Sequence, residues 1–112
     1  MKRGEIWRVR LPASQGHTQS GERPALVIQA DKLNASLPTV LVVPFTSTLA
    51  TQRFLGTVLM SPDGTNGLTL PSDARVFQTR AVDRQACAQC LGQLKPDDVE
   101  TVLKMLDELT GR

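Results

Sequence analysis

An arginine at the mouth of an apolar strand is the first feature of this sequence that can do chemistry. Arg23 lies in the stretch GERPALVIQAD, directly before Pro24 and a run of apolar residues. Because proline disfavours helical backbone at the residue before it, we expect Arg23 to be extended and held at the strand's rim. A guanidinium is always protonated, so a fixed one can neutralise phosphate charge. The alternative is an ordinary rim ion pair, with Glu22 or another carboxylate.

Two further segments are expected to bring polar side chains to the same rim. Residues 12–24, rich in Gly, Ser, Gln and Pro, predict a loop that carries the chain's single histidine, His17. A second apolar run ends in PFTST, which places Thr46 and Ser47 at a strand end. Imidazole changes charge near neutral pH, so His17 is a candidate general base.

Short strands are the elements that must position these residues. Alternation in EIWRVRL predicts a first strand with Trp7, Val9 and Leu11 on one face. The β-branched runs at 25–29 and 39–46 are apolar on both faces, as in central strands. Further strands are predicted in TVLM, LTL, ARVFQTRAV and CLGQL, with a strong turn signal in SPDGTNG and a turn or short helix in ADKLNASLP.

The last segment changes to a helical period. Its apolar residues follow Pro96 in a first-turn position and precede Gly111 as a stop signal; they are Val99, Val102, Leu103, Leu106 and Leu109. Five to seven short strands with one amphipathic terminal helix predict a mainly β (α+β) fold, a small SH3-like barrel, as a single domain over residues 1–112.

Composition and charge exclude several classes of protein. With 40% hydrophobic and 21% charged residues, the chain has the composition of an ordinary globular domain. No apolar run approaches the ~18 residues of a membrane span, and no signal-peptide core follows the N-terminus, so we expect a cytoplasmic protein. Residues 1–96 hold eleven Lys and Arg against six Asp and Glu. A basic body suits a polyanionic partner.

Taken in order, six segments resemble the MazF/PemK/Kid family of toxin–antitoxin ribonucleases, and most closely its Kid/PemK branch. They are RGEIW, GHTQSGERPALVIQ, VVPFTS, NGL, FQTRAVDR and LGQL, followed by the terminal helix. The resemblance implies a homodimeric, growth-inhibiting endoribonuclease that cuts single-stranded mRNA at short sequences without a metal or other cofactor. It also implies a cognate antitoxin whose acidic C-terminal segment covers the RNA groove.

The resemblance also implies roles for individual residues. The expected catalytic residues are Arg23, Thr46, Arg75 and His17, and the expected RNA-binding residues are Glu22, Ser47, Arg53, Phe77 and Gln78. Attack by the RNA's own 2′-hydroxyl needs cations around the phosphorane, a base and an acid, and it yields a 2′,3′-cyclic phosphate and a 5′-hydroxyl.

One residue departs from the family pattern. Phe77 stands where many relatives carry the Asp or Glu proposed as general base, and a phenylalanine accepts no proton. His17 takes that role, or Glu22 or Asp73 reaches the substrate, or this member is slow. Phe77 itself stacks on a nucleobase or belongs to the core or the dimer interface.

Two alternatives remain open at this point. The pair Cys87 and Cys90 has zinc-ligand spacing, but a closed site needs two further ligands, so it is either a metal site shared across a dimer axis or plain reduced thiols. The fold class also includes the gyrase poison CcdB, which cleaves no RNA, and a catalytically weak RNA-binding relative would show the same sequence pattern.

Overall fold

A computed structural model describes residues 1–11, 21–48 and 55–112 of the chain. These described residues form seven strands and two helices. In chain order they are β1 (Glu5–Leu11), β2 (Gly21–Val27), α1 (Asp31–Asn34), β3 (Thr39–Thr46), β4 (Thr57–Met60), β5 (Ser72–Arg75), β6 (Arg80–Asp83), β7 (Cys87–Gln93) and α2 (Pro96–Thr110), with 3-10 turns at Val76–Gln78 and Arg84–Ala86.

The strands form one antiparallel sheet in the order β4-β5-β3-β2-β1-β7, with β6 also paired to β3. Strand β3 is the organising element, because its first half pairs with β6 and its last two residues pair with β5. The prediction of a mainly β fold with up to seven strands and a C-terminal helix is confirmed.

A loop, rather than a ladder, connects the two ends of this sheet. Among the described strands no ladder joins β4 to β7, so the sheet is open at this point, which is compatible with the predicted small SH3-like barrel. The segment 61–71 bridges the gap, since the Gln93 N–H donates to the Thr65 carbonyl over 2.9 Å. A Cβ at Gly67 would overlap the Leu91 carbonyl, and one at Gly92 would overlap the Thr65 carbonyl. Only glycine permits this backbone approach.

The predicted strand LTL is wrong, because Leu68–Leu70 belong to this bridging loop. Side chains occupy the backbone donors that a ladder would need. The Asp63 carboxylate accepts the N–H groups of Thr65 and Asn66, each at 2.9 Å, and the Asn66 amide oxygen accepts the Leu68 N–H at 3.0 Å. Such local bonds favour turns over strands.

Each face of the sheet carries its own apolar cluster. One cluster packs under α2 and includes Ile6, Leu26, Val43, Phe45, Ala74, Val76, Val99 and Val102. The other lies on the opposite face and consists of Val9, Leu11, Ala25, Val27, Val40, Val42 and Val82, with Trp7 and Cys87 packed against it. The alternating strands therefore keep buried side chains on both faces.

Helix α2 follows the predicted pattern. Val99 and Val102 are buried, Leu103 and Leu106 pack against the core, and Leu109 is 44% exposed at the last turn. Gly111 ends the helix at φ 80°, and its N–H bonds the last carbonyls. Within the described parts of the chain, no helix is long and apolar enough to cross a membrane.

Two predicted boundaries need correction. The loop expected over 12–24 ends earlier, because Gly21 already begins β2 and both Arg23 and Pro24 lie in the strand. The predicted strand ARVFQTRAV is two strands, β5 and β6, separated by the 3-10 turn at Val76–Gln78.

Candidate functional site

Two prolines decide where strands β2 and β3 separate. Their ladder pairs Val27 with Val42 and ends at Ala25 and Pro44. Pro24 and Pro44 have no N–H to donate, so neither can extend the ladder as a donor. Beyond this point the strands diverge and leave space between them.

That space is a groove of about 220 Å³. Its walls come from the ends of β2 and β3, from β1 and from the bridging loop, and they include Arg8, Arg23, Pro24, Phe45, Ser47, Leu68, Thr69, Leu70, Ser72 and Leu91. The groove thus combines two guanidinium groups with an apolar floor. Such a combination suits a ligand that has phosphates and flat apolar bases.

Arg23 is exposed at the rim, as predicted. Among the described residues no carboxylate lies within ion-pair distance of it, so the rim ion pair with Glu22 does not form in this structure. Arg8 differs, because its Nη1 donates to the Gln89 side-chain oxygen at 3.2 Å. Arg23 is therefore the more available cation of the two for a ligand.

The strand register places Arg23 and Arg75 on one face of the sheet. Arg23 of β2 pairs with Val9 of β1. Ala25, two residues further along β2, pairs with Pro44 of β3. Thr46 faces Asp73, and residues two apart on one strand share a face, so Arg75 is on this face as well. One strand, β3, lies between the strands that carry Arg23 and Arg75.

Arg75 is largely enclosed, with 8% of its surface exposed. Its guanidinium carbon lies 5.1 Å from the centre of the Phe77 ring, a cation–π distance. Burial lowers the pKa of Arg75, and the negative charge of Asp73 acts in the opposite direction. The buried Nε–H has no acceptor among the described residues. The ring of Phe77 thus packs against the Arg75 guanidinium, and the Nε–H of Arg75 can still donate a hydrogen bond to a ligand.

Thr46 is placed to donate a hydrogen bond. Its hydroxyl oxygen accepts the Thr48 backbone N–H at 3.2 Å, so the hydroxyl hydrogen can point to another acceptor. Only 7% of the residue is exposed. Thr46 is on the same sheet face as the two arginines, although neither Thr46 nor Arg75 is among the residues that line the groove.

Phe77 serves as a support for Arg75. The Phe77 ring makes the cation–π contact with the Arg75 guanidinium. The Phe77 N–H donates to the Gly56 carbonyl at 3.1 Å. Gly56 lies close to both Phe77 and Leu109. A Cβ at Gly56 would come within 3.0 Å of the Phe77 Cβ, and φ there is +87°. The glycine therefore allows the 3-10 turn to pack closely against the strand start.

The remaining expected site residues divide into three groups. Ser47 lines the groove, whereas Glu22 is exposed on β2 and Gln78 is half-buried in the 3-10 turn outside the groove. His17 and Arg53 lie outside the described residues. Arg8 lines the groove but was not among the predicted site residues, since the alternation in β1 places it on the face opposite Val9, with which Arg23 pairs.

The cysteine pair lies on β7 opposite β1. Cys87 faces Val9 and Cys90 faces Trp7, with a register shift between them, and both thiols are free. Burial raises the pKa of Cys87. In the described part of the chain no three His, Cys, Asp or Glu side chains group as metal ligands.

Comparison with known proteins identifies the family. The model of the PemK-like, MazF-like toxins of type II toxin–antitoxin systems matches residues 2–110. The chain belongs to this family. It is 32% identical to endoribonuclease MazF9 of Mycobacterium tuberculosis, over 96% of the chain and 91% of that protein. It is 37% identical to endoribonuclease PemK of Escherichia coli, over 77% of the chain and 63% of that protein.

Solved structures show the same fold for this PemK/MazF-like chain. MazF of Deinococcus radiodurans (Form-I) superposes with a TM-score of 0.83 at 24% identity, covering all of this chain and 97% of that one. The MazE–MazF structure (Form-II) from the same organism gives 0.77 at 24% identity, covering 99% of this chain and 96% of that one. The open sheet bridged by a loop is thus a MazF fold.

Proposed function

We propose that this chain is a sequence-specific endoribonuclease toxin that cleaves single-stranded RNA by attack of the 2′-hydroxyl. Two arginines from separate strands and a fixed threonine hydroxyl share one sheet face, and this juxtaposition is the observation that carries the proposal. Family membership and the endoribonuclease names of the relatives support it. The products are a 2′,3′-cyclic phosphate and a 5′-hydroxyl.

Each of the three groups has a role that its environment favours. Arg75 is enclosed and stacked on Phe77, so its charge acts in a less polar setting, where charge stabilisation of a phosphorane is stronger. Arg23 is exposed at the groove rim, where its charge stabilises the negative charge that develops on the phosphorane. Thr46 donates its hydroxyl hydrogen to a non-bridging oxygen or to the 2′-hydroxyl.

The general base is assigned to His17. Phe77 accepts no proton, and Asp73 is 0% exposed, so its carboxylate does not reach a substrate hydroxyl in this arrangement. Glu22 is exposed on the neighbouring strand and is the second candidate. An imidazole base predicts that the cleavage rate rises with pH through neutrality.

The partners follow from the same family. We propose a homodimer in the cytoplasm, with an antitoxin that covers the groove. One similar structure is described as an endoribonuclease in complex with its cognate antitoxin, and others contain MazE with MazF. The excess of basic residues over residues 1–96 suits an acidic antitoxin segment as well as RNA.

The decisive experiment uses purified full-length protein and a mixed pool of transcripts in EDTA. We expect cleavage at a short recurrent sequence, read by sequencing the new 5′-hydroxyl ends. A parallel assay with DNA gyrase tests the CcdB-like alternative. Intact RNA together with a topoisomerase trapped on DNA would overturn the proposal in favour of that alternative, and intact RNA that is nevertheless bound would indicate a relative that only binds RNA.

A further inference from the structure

Strand β6 begins with an arginine, Arg80, that the proposed site does not include. Arg80 pairs with Val42 of β3. Paired residues of neighbouring strands lie on the same face of a sheet, and Val42 belongs to the apolar cluster on the face opposite α2. Thr46 is four residues further along β3 and shares this face. Arg80 is therefore on the sheet face that also carries Thr46 and Arg23.

The register along β3 makes Arg80 the neighbour of Arg75. The ladder between β3 and β5, continued by one step, brings Arg75 level with Pro44. The ladder between β3 and β6 brings Arg80 level with Val42 on the same edge of β3, because β2 occupies the other edge. Two residues of a strand span about 7 Å. Successive phosphates of an extended RNA strand are a similar distance apart, so two neighbouring phosphates can meet the two arginines.

The surroundings of Arg80 leave its charge available to a ligand. Its Nη1 is buried and has no hydrogen-bond partner among the described residues, although the residue as a whole is only half-buried. The acidic residue of the same strand, Asp83, is three positions away on the other face, and its carboxylate accepts the Gln85 N–H at 2.9 Å. Within the described ranges no carboxylate lies at ion-pair distance from Arg80. Because an unpaired buried donor is costly, a phosphate oxygen would satisfy a group that the fold leaves open.

We propose that Arg80 is a further RNA-binding residue of the cleavage site, and that its guanidinium contacts the phosphate next to the scissile one. The inference rests on the proposed function. Arg75 and Thr46 act at the scissile phosphate, whereas Arg80, further along β3, fixes the position of the RNA strand. Its contact is the same in the bound substrate and in the transition state, so it contributes to affinity and leaves kcat unchanged.

Replacement of Arg80 by alanine should weaken RNA binding and leave the chemical step intact. The probe is a fluorescent single-stranded RNA that contains the sequence found by mapping the 5′-hydroxyl ends, with deoxynucleotides at and beside the cleavage site so that it cannot be cut. We expect Arg80→Ala to raise its Kd about 10-fold, as for the loss of one charged hydrogen bond. The slope of log Kd against log salt should fall by about 0.7, the value for one phosphate of a single strand. In cleavage of the all-RNA strand, the rate at saturating enzyme should stay within about twofold of wild type.

Two modified strands locate the contact. In one strand the phosphate on the 5′ side of the scissile phosphate is a neutral methylphosphonate, and in the other strand the phosphate on the 3′ side is. If Arg80 contacts one of these phosphates, the effect of Arg80→Ala falls below about twofold in that strand, because the contact is already lost. An undiminished effect in both modified strands, or no effect in the unmodified strand, would overturn the proposal.

Arg84→Ala is the matched control. Arg84 directly follows β6, and its Nε and Nη2 are also buried without a partner in the described part of the chain, but it lines a separate cavity with Trp7 and Cys87. We expect its Kd to stay within about twofold of wild type. An equal loss in the two variants would show general attraction for RNA and would contradict the proposal.

A second variant covers the case that Arg80→Ala does not fold. Arg80→Gln keeps a long polar side chain and removes the charge, and the same outcomes apply to it. A variant that loses the oligomeric state of the wild type in size-exclusion chromatography would place Arg80 at an interface between copies and overturn its role in RNA binding. A wild-type protein that leaves RNA intact refutes the proposed function instead, so the two failures are distinguishable.

Discussion

Replacement of Arg23 by alanine tests the site most directly, because the side chain is exposed and its loss should not disturb the fold. It forms no ion pair within the described residues, and only its backbone pairs, opposite Val9. Surface substitutions of this kind change the free energy of unfolding by about 0.5 kcal/mol or less. A loss of activity in Arg23→Ala therefore reports on the chemistry.

The expected size of the effect follows from the exposure of the side chain. Removal of one preorganised donor to a developing negative charge costs about 100- to 1,000-fold in rate. Arg23 is at the exposed rim, where water screens its charge, so we expect the lower end, about 100-fold in kcat/KM. This corresponds to about 2.7 kcal/mol of transition-state stabilisation.

Arg8→Ala is the matched control, because it removes the same charge from the same groove. The Arg8 guanidinium already donates to Gln89, so it contributes general attraction for RNA more than contact with the reacting phosphate. We expect a rise in KM of a few-fold and little change in kcat. Arg3→Ala, an exposed arginine outside the groove, sets the baseline for the loss of one charge.

The assay is single-turnover cleavage, at several salt concentrations, of a fluorogenic single-stranded RNA that contains the cleavage sequence found by sequencing the 5′-hydroxyl ends. Salt weakens any screened phosphate contact, so the difference between Arg8→Ala and wild type should shrink as salt rises. The defect of Arg23→Ala should persist at saturating enzyme. If Arg23→Ala and Arg8→Ala show the same few-fold loss, Arg23 is one phosphate contact among several and has no place at the reacting centre.

Three further predictions concern stability and the thiols. Gly67→Ala should lower the stability of the protein more than Gly64→Ala does. At Gly64 the added methyl lies in open space, so only the φ of +85° costs about 1–2 kcal/mol, whereas at Gly67 the methyl also overlaps the backbone. Equal melting temperatures of the two variants would contradict the close approach at Gly67. Hydrogen bonds from the bridging loop lower the pKa of Asp63, so the ionised carboxylate stabilises the fold above the ordinary Asp range, and this contribution is lost as pH falls through the folded-state pKa. Asp63→Asn should therefore reduce the fall of the melting temperature at acid pH, as measured by thermal melts. Cys90, which is exposed, should react with iodoacetamide before Cys87, whose raised pKa leaves less thiolate at neutral pH; mass spectrometry of the first adduct decides this.

The parts of the fold that were predictable are those where local pattern and tertiary environment agree. The helical period from Val99 to Leu106 and the stop at Gly111 located α2, and the apolar run after Pro24 located the buried half of β2. In α2 the local signals for the end of the helix and for its buried face agree, which is why its position was predictable.

The errors arose where side-chain to backbone bonds or distant strands decide the structure. LTL has a strand-like composition, yet the Asp63 and Asn66 side chains use its backbone donors and make it a loop. The bond that ties this loop to the far strand joins residues distant in sequence, the Gln93 N–H and the Thr65 carbonyl. No local pattern in either segment contains that information.

The site was predictable only in part, for a related reason. Arg23 and Thr46 follow from their positions at strand ends, but the cation–π contact of Arg75 with Phe77 depends on a turn that interrupts a strand-like run. The pairing of Thr46 with Asp73 depends on the register of β3 against β5. Residues assigned through the family therefore gained neighbours that the family pattern does not specify.

The two prolines at the groove determine its position, because they end the β2–β3 ladder. Pro24 and Pro44 remove backbone donors at the place where β2 and β3 would otherwise continue to pair. An uninterrupted ladder would bring the next residues of the two strands to about 4.8 Å apart and close the groove between Arg23 and Ser47. The groove thus exists because hydrogen bonding stops there, and the arginine next to the proline lies at its rim for the same reason. The stretch GERPALV therefore specifies a cation and the opening beside it in consecutive residues.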